Sequence, residues 1–230
     1  LEKIKIYYRL SDHGYQKIKP DYIDNEKCLA NFISVFGDDD IEIIADNVED
    51  KTYEWLYNLN LNVERTQLGS GAQSFNYVLD KAVKLEDNTI VYFVEDDYLH
   101  LPNARNILID GFKLGAGYVS LYDHPDKYIN GSQGGNPYVE NGGEVTQVFR
   151  TESCHWKLTN STTMTFASKV STLKEDLHIF KKWTTGTYPE DFKMFLDLRT
   201  NGRSLITPLP GYSTHGETQW LSPFTDWSKV

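Results

Sequence analysis

At 230 residues the chain can bury a sizeable core, and its formal net charge of −10 argues against a nucleic-acid backbone as main partner, because such binders carry a basic patch or stripe. Any anionic ligand therefore needs local help, such as a metal ion. Two cysteines, Cys28 and Cys154, are too few for a disulfide scaffold or a zinc site and fit a reducing, cytoplasmic setting, and no apolar run reaches the roughly 20 residues that span a bilayer.

Leu1-Glu2-Lys3 starts no signal peptide, and the missing initiator Met leads us to expect neighbouring domains in a longer protein. From Lys3 to Leu10 the residues read as a strand, and Asn25 to Phe36 spaces Cys28, Leu29, Phe32, Ile33 and Phe36 at helical intervals. Ile41 to Ala45 forms a second strand ending in Asp46-Asn47, followed by a helix over Lys51 to Leu59 and a strand over Asn62 to Thr66. Ser74 to Lys84 predicts a helix, Thr89 to Val94 a strongly apolar strand, and Pro102 the first turn of a helix ending near Phe112. This alternation predicts an open α/β sheet with helices on both faces. In the second half, Gly117 to Leu121 reads as a strand and Asp123 to Gly143 as a long surface loop. Strands over Thr146 to Arg150 and Thr162 to Ala167, a helix over Ser171 to Lys181, a helix over Pro189 to Asn201 closed by Gly202, and a strand over Ser204 to Thr207 complete the chain.

In open α/β sheets, ligands collect beyond the carboxyl ends of the strands. Arg9, Asp46 and the triplet Glu95-Asp96-Asp97 fall at such ends. Three adjacent carboxylates repel one another, and burying them uncompensated is costly. Mg²⁺ or Mn²⁺ would resolve the conflict, taking one or two carboxylates and filling its octahedron with water and substrate phosphates. The competing reading has Asp97 or a neighbour capping the next helix while the rest are solvated.

The stretch YFVEDDYLHLPNA resembles the DXD region of nucleotide-sugar-dependent glycosyltransferases of the GT-A fold, in the Glu-Asp-Asp variant. LGSGAQSFNYVLDKA resembles part of the nucleotide-binding half of that fold, and YPEDFKMFLDLRTNGRSLITP the acid-led helix that carries the catalytic base in inverting members. The resemblance implies a Rossmann-like mixed central sheet flanked by helices, in a single domain over residues 1–230. Residues 1–100 would bind the nucleotide sugar and residues 101–230 the acceptor. It implies Asp97 as direct ligand of Mn²⁺ or Mg²⁺, with His215 as a further ligand or diphosphate contact. Glu95, Asp96, Asp46, Arg9 and Asn76 would face the nucleotide. Asp191 would be the base, with Glu190 as fallback. Asp46 reads equally well as a helix cap before Lys51, and Asp191 and Glu190 as carboxylates that favour a helix start. Trp156 and His155 are candidates for the acceptor side, Trp156 by stacking on a sugar, with a core anchor as its competing reading.

The implied partners are a UDP- or GDP-linked sugar and a glycan or glycolipid acceptor, in surface-polysaccharide synthesis, with the enzyme cytoplasmic or held peripherally at a membrane by a partner or missing domain. Two other classes stay open: a sugar nucleotidyltransferase, for which YYRLSDHGYQKIK lacks a clear Gly-rich basic loop, and a non-catalytic carbohydrate- or calcium-binding module. No P-loop, G-x-S-x-G or H-E-x-x-H motif occurs.

Overall fold

A strand covered on one face alternates apolar and polar residues, whereas one covered on both faces is apolar throughout. Ile4–Leu10 and Ile90–Glu95 are of the second kind, buried at nearly every position. The computed structural model describes residues 2–14 and 17–230, so Tyr15 and Gln16 of YYRLSDHGYQKIK, and Leu1, lie outside the described residues.

The chain runs β1 (Ile4–Leu10), α1 (Asn25–Phe36), β2 (Ile41–Asp46), α2 (Asp50–Asn58), β3 (Val63–Thr66), α3 (Gly71–Ala82), β4 (Ile90–Glu95), β5 (Tyr98–His100) and α4 (Ala104–Gly111). It continues through β6 (Tyr118–Val119), β7 (Val148–Arg150), β8 (His155–Leu158), β9 (Phe166–Lys169), α5 (Val170–Glu175), α6 (Leu177–Trp183), α7 (Asp191–Thr200), β10 (Leu205–Leu209) and β11 (Ser213–His215). Two compact units result, one of Leu1–Gln16, Gly37–Asp96 and Thr163–Arg203, the other of Lys17–Phe36, Asp97–Thr162 and Ser204–Val230.

In the first unit the strands lie in the order β3-β2-β1-β4-β9, the first four parallel and β9 antiparallel to β4. Helix α3 buries Ala72, Phe75, Val78, Leu79 and Ala82, a stripe at helical spacing, and Ser70 caps it by accepting from the Gln73 N–H. Phe75 packs edge-on to Phe93 at 5.1 Å between ring centroids, and Phe166 meets Phe93 at 5.4 Å and Phe195 at 5.2 Å. These rings fasten α3 and α7 to the sheet. The helix expected over Ser171 to Lys181 is instead two, α5 and α6, broken at Asp176 (φ −96°, ψ 4°). There the Arg203 fork donates to both Asp176 oxygens, at 2.7 and 3.0 Å. A long-range bidentate pair outweighs the helical pattern at that residue.

In the second unit β6 runs parallel to β10, β10 antiparallel to β8, and β8 antiparallel to β7, while β5 and β11 form a separate antiparallel ribbon. The ribbon was not expected from sequence. Tyr98, Leu99 and His100 are all buried, and pairing with Ser213–His215 holds them extended. Pro102 consequently lies outside α4, whose N-cap Asn103 takes a left-handed φ of 70°. The segment after Asp123 is also more ordered than a surface loop. Lys157, almost fully buried, places its ammonium 2.9 Å from Asp123 and donates to the Tyr128 hydroxyl at 3.1 Å. Lys127 donates to Ser161 at 2.9 Å and pairs with Asp126, and the amides of Asn136 and Asn160 bond each other in both directions. Asn160 of the sequon Asn160-Ser161-Thr162 is thus buried and engaged, not an exposed glycan acceptor.

His100 is fully buried, edge-on to the rings of Phe32 and Phe36 at 5.1 and 5.2 Å. Burial pushes its imidazole down to about 3. The folded chain therefore keeps it neutral where the unfolded chain takes up a proton. Its contribution to stability is complete above the ordinary histidine value and is lost as pH falls from about 6.5 towards 3. Urea unfolding at stepped pH should show the native protein losing about 1.4 kcal/mol per pH unit more than His100→Gln across this window. Equal slopes would mean that the folded protein protonates His100.

Candidate functional site

The carboxyl ends of β1, β2 and β4 carry Arg9, Asp46 and Glu95. Arg9 stands in register with Glu95 and is 7% exposed. Its Nη1 donates to the Gly71 carbonyl at 3.3 Å, its Nη2 lies 3.5 Å from Glu95 Oε1, and the guanidinium sits over the Phe75 ring at 5.6 Å. Nε and Nη2 have no hydrogen-bond partner among the described residues. Buried donors are nearly always satisfied in native proteins, so two open ones on a guanidinium mark a place where ligand oxygens fit. Glu95 is steadied by Thr165, which accepts from the Glu95 N–H at 3.1 Å and donates to its carboxylate at 3.4 Å. Asp96 Oδ2 accepts from the Ser11 N–H at 2.8 Å.

Asp46 and Asn76 do structural work at these positions. Asp46, 3% exposed, accepts from Thr66 Oγ1, the Leu68 N–H and Asn47 Nδ2 at 2.7 to 3.0 Å, binding the end of β2 to the segment after β3. It caps no helix, since Glu49 occupies the N-cap of α2. Asn76 bonds Thr184 twice, donating to its carbonyl and accepting from its hydroxyl, each at 3.1 Å.

Gly71, whose carbonyl holds Arg9, also faces the segment that leads into α7. The Ala72 N–H donates to the Thr187 carbonyl at 3.1 Å, and a Cβ on Gly71 would sit 3.8 Å from the Tyr188 ring. A series of contacts therefore runs from Glu95 through Arg9 and Gly71 to the residues just before Glu190 and Asp191. Asp191 is half-buried at the first turn of α7 and accepts from the Phe192 N–H at 2.6 Å. Glu190 is exposed and paired with Lys193.

The triplet changes units after Asp96, and Asp97 belongs to the second. The β5–β11 ladder sets Tyr98 opposite His215, which brings Asp97 and His215 together as expected, Oδ2 to Nε2 at 3.3 Å. Gly216 allows this approach. Its N–H donates to the Asp97 carbonyl at 2.7 Å, and a Cβ there would lie 2.7 Å from both that oxygen and Ile23 Cγ2. Lys17 Nζ is 2.8 Å from Asp97 Oδ2 and 2.8 Å from His215 Nε2, and Lys19 Nζ is 3.8 Å from the same carboxylate oxygen. Burial alone would push the Asp97 carboxyl up, but His215, Lys17 and Lys19 outweigh it and hold the carboxyl well below its ordinary range.

This arrangement does not fit the expected Mn²⁺ or Mg²⁺ centre. The point equidistant from the two expected ligands is held by an ammonium, and among the described residues no group of three or more His, Cys, Asp and Glu side chains is placed to hold a metal ion. The acceptor-side expectation for Trp156 is also corrected. Its ring is fully buried, fills the space left by Gly111, and donates its indole N–H to Thr151 at 3.1 Å, so it is a core anchor unable to stack on a sugar. His155 is exposed at the start of β8. Sequence reading missed Lys17 and Lys19, whose signal was the pair of lysines before Pro20 in a strongly acidic chain.

No family model matches the sequence, and no curated protein matches it. Among solved structures the chain is similar to GalNAc-T7, crystallised with UDP, GalNAc and Mn²⁺, with a TM-score of 0.61 over 97% of this chain at 12% identity. It spans 46% of the GalNAc-T7 chain, so about half of that protein has no counterpart here. A fragment of S. aureus TarS, residues 1–349, matches over 88% of this chain and 57% of its own, at 15% identity and a TM-score of 0.48. The likeness to GalNAc-T7 is one of fold, and the fold is the GT-A-like one of the glycosyltransferases: mixed α/β, with a central sheet flanked by helices.

Proposed function

We propose that the chain transfers a sugar from a nucleotide diphosphate donor, UDP- or GDP-linked, to a hydroxyl of a glycan or glycolipid acceptor, with inversion. The observation that carries this reading is Arg9, a buried guanidinium with two open donors at the carboxyl ends of parallel strands. Ligands gather at such ends in open α/β folds. Glu95 and Asp96 flank the same strand ends and complete the nucleotide side, while Asp46 acts behind them by fixing the end of β2.

In the reaction the acceptor oxygen attacks the anomeric carbon, the bond from that carbon to the diphosphate oxygen breaks, and the electron pair leaves on the diphosphate. Asp191 takes the acceptor proton; it is a carboxylate in the first turn of a helix, on the segment packed against the turn that holds Arg9. No step of this reading passes through a metal ion.

Incubation with a panel of UDP- and GDP-sugars, followed by mass spectrometry, tests the proposal. The expected result is release of free nucleoside diphosphate and, with oligosaccharide acceptors, a product heavier by one sugar. Formation of a nucleotide sugar from a nucleoside triphosphate and a sugar 1-phosphate, without any transfer, would replace this reading with that of a nucleotidyltransferase.

A further inference from the structure

We propose that Lys17, backed by Lys19, is the resident cation of this site and binds the donor diphosphate in place of a divalent metal. The inference rests on the nucleotide diphosphate reading and deepens it. Its first support is position. A metal bound by Asp97 and His215 would lie about 2 Å from each ligand atom, and the Lys17 ammonium already stands 2.8 Å from both. The two cations compete for one place, so a metal enters only by expelling Lys17 against the attraction of Asp97.

Charge gives the second support. A divalent ion on a single carboxylate leaves one positive charge in excess. Two ammonium groups on the single carboxylate of Asp97 leave the same excess. Glu217 lies 4.0 Å from the His215 nitrogen opposite the one that faces Lys17. In a chain of net charge −10, these lysines provide the local positive charge that an anionic ligand requires.

The third support is anchoring. Ile18, between the two lysines, accepts at its carbonyl from both the backbone N–H and the hydroxyl of Thr218, at 2.8 and 2.9 Å. Thr218 lies just beyond the ribbon that carries His215, and the Pro20 carbonyl accepts from the Ile23 N–H at 2.9 Å. The backbone between the two lysines is thus held beside Asp97 and His215, and ammonium groups fixed in this way meet an anionic ligand with little reorganisation, which makes preorganised electrostatics effective.

Calorimetry with UDP, GDP and inorganic pyrophosphate, in EDTA and in Mn²⁺, tests this, alongside paramagnetic resonance of added Mn²⁺. Native protein should bind at least one probe in EDTA within about twofold of its affinity in Mn²⁺, and should leave the Mn²⁺ signal free. Lys17→Met should weaken binding in EDTA by about tenfold or more, and Lys17→Arg by no more than about threefold. Lys17→Met leaves Asp97 with His215 and Lys19, so its unfolding midpoint should fall, and Lys17→Arg, which keeps the charge beside Asp97, is the control that separates loss of binding from loss of fold. Failure of every probe, with and without Mn²⁺, would refute the nucleotide reading itself. Binding that requires Mn²⁺, with a bound-metal signal that Asp97→Asn abolishes, would leave that reading standing and overturn the role of Lys17. Unchanged binding by Lys17→Met in EDTA would overturn it as well.

Discussion

Asp191→Asn should lower sugar transfer by about 10²- to 10⁴-fold, the usual contribution of a positioned general base, while nucleotide affinity by calorimetry stays within about twofold. Asparagine keeps the shape of the side chain and its bond from the Phe192 N–H but cannot take the acceptor proton. Separation of the two effects is the informative result. A parallel loss of nucleotide binding would assign Asp191 to the pocket wall. Full retention of transfer would move the base to Glu190, which is exposed and paired with Lys193, or would point to a retaining mechanism.

Arg9→Met should weaken UDP or GDP binding by about 10- to 100-fold, since a hydrogen bond to a charged group contributes about 1.5–3 kcal/mol. Stability should change little. Methionine keeps an apolar stem against the Phe75 ring, and Glu95, which loses its pairing with Nη2, is partly exposed and stays bonded to Thr165. If Arg9 serves only to join Glu95 to Gly71, the opposite pattern must appear: a lower urea midpoint with nucleotide affinity unchanged.

The first half of the fold was legible because its signals are local. Helix α1 begins and ends at the expected residues, and β1, β2 and β4 fall within a residue of the apolar runs that predicted them. What escaped depends on partners distant in sequence. Tyr98–His100 joins a ladder because Ser213–His215 returns to it, and Asp176, where the expected helix breaks, is gripped by Arg203. The site divides along the same line. Pairing of Asp97 with His215 could be expected from a family pattern, and Arg9 and Glu95 from their places at strand ends. The ammonium between Asp97 and His215 could not, because nothing in the sequence around Lys17 says which carboxylate it will meet. Trp156 misled for a related reason. Its polar neighbours suggested an exposed ring, whereas Gly111, far along the chain, leaves the space that buries it.

The residues after Asp123 have a bearing on any attempt to recombine this chain with others of its fold. Lys127, Tyr128 and Asn136 bond within their own segment, to Asp126 and Asp123, and also outside it, to Ser161, Lys157 and Asn160. A transplant of residues 123–143 alone would take Asp123 and Tyr128 from the Lys157 ammonium, 3% exposed, and leave it Glu144 at 3.7 Å; removing one side of a buried ion pair costs about 3–5 kcal/mol. The segment and residues 157–161 therefore form one exchangeable cassette, and chimaeras that keep both together are the ones expected to express as folded protein.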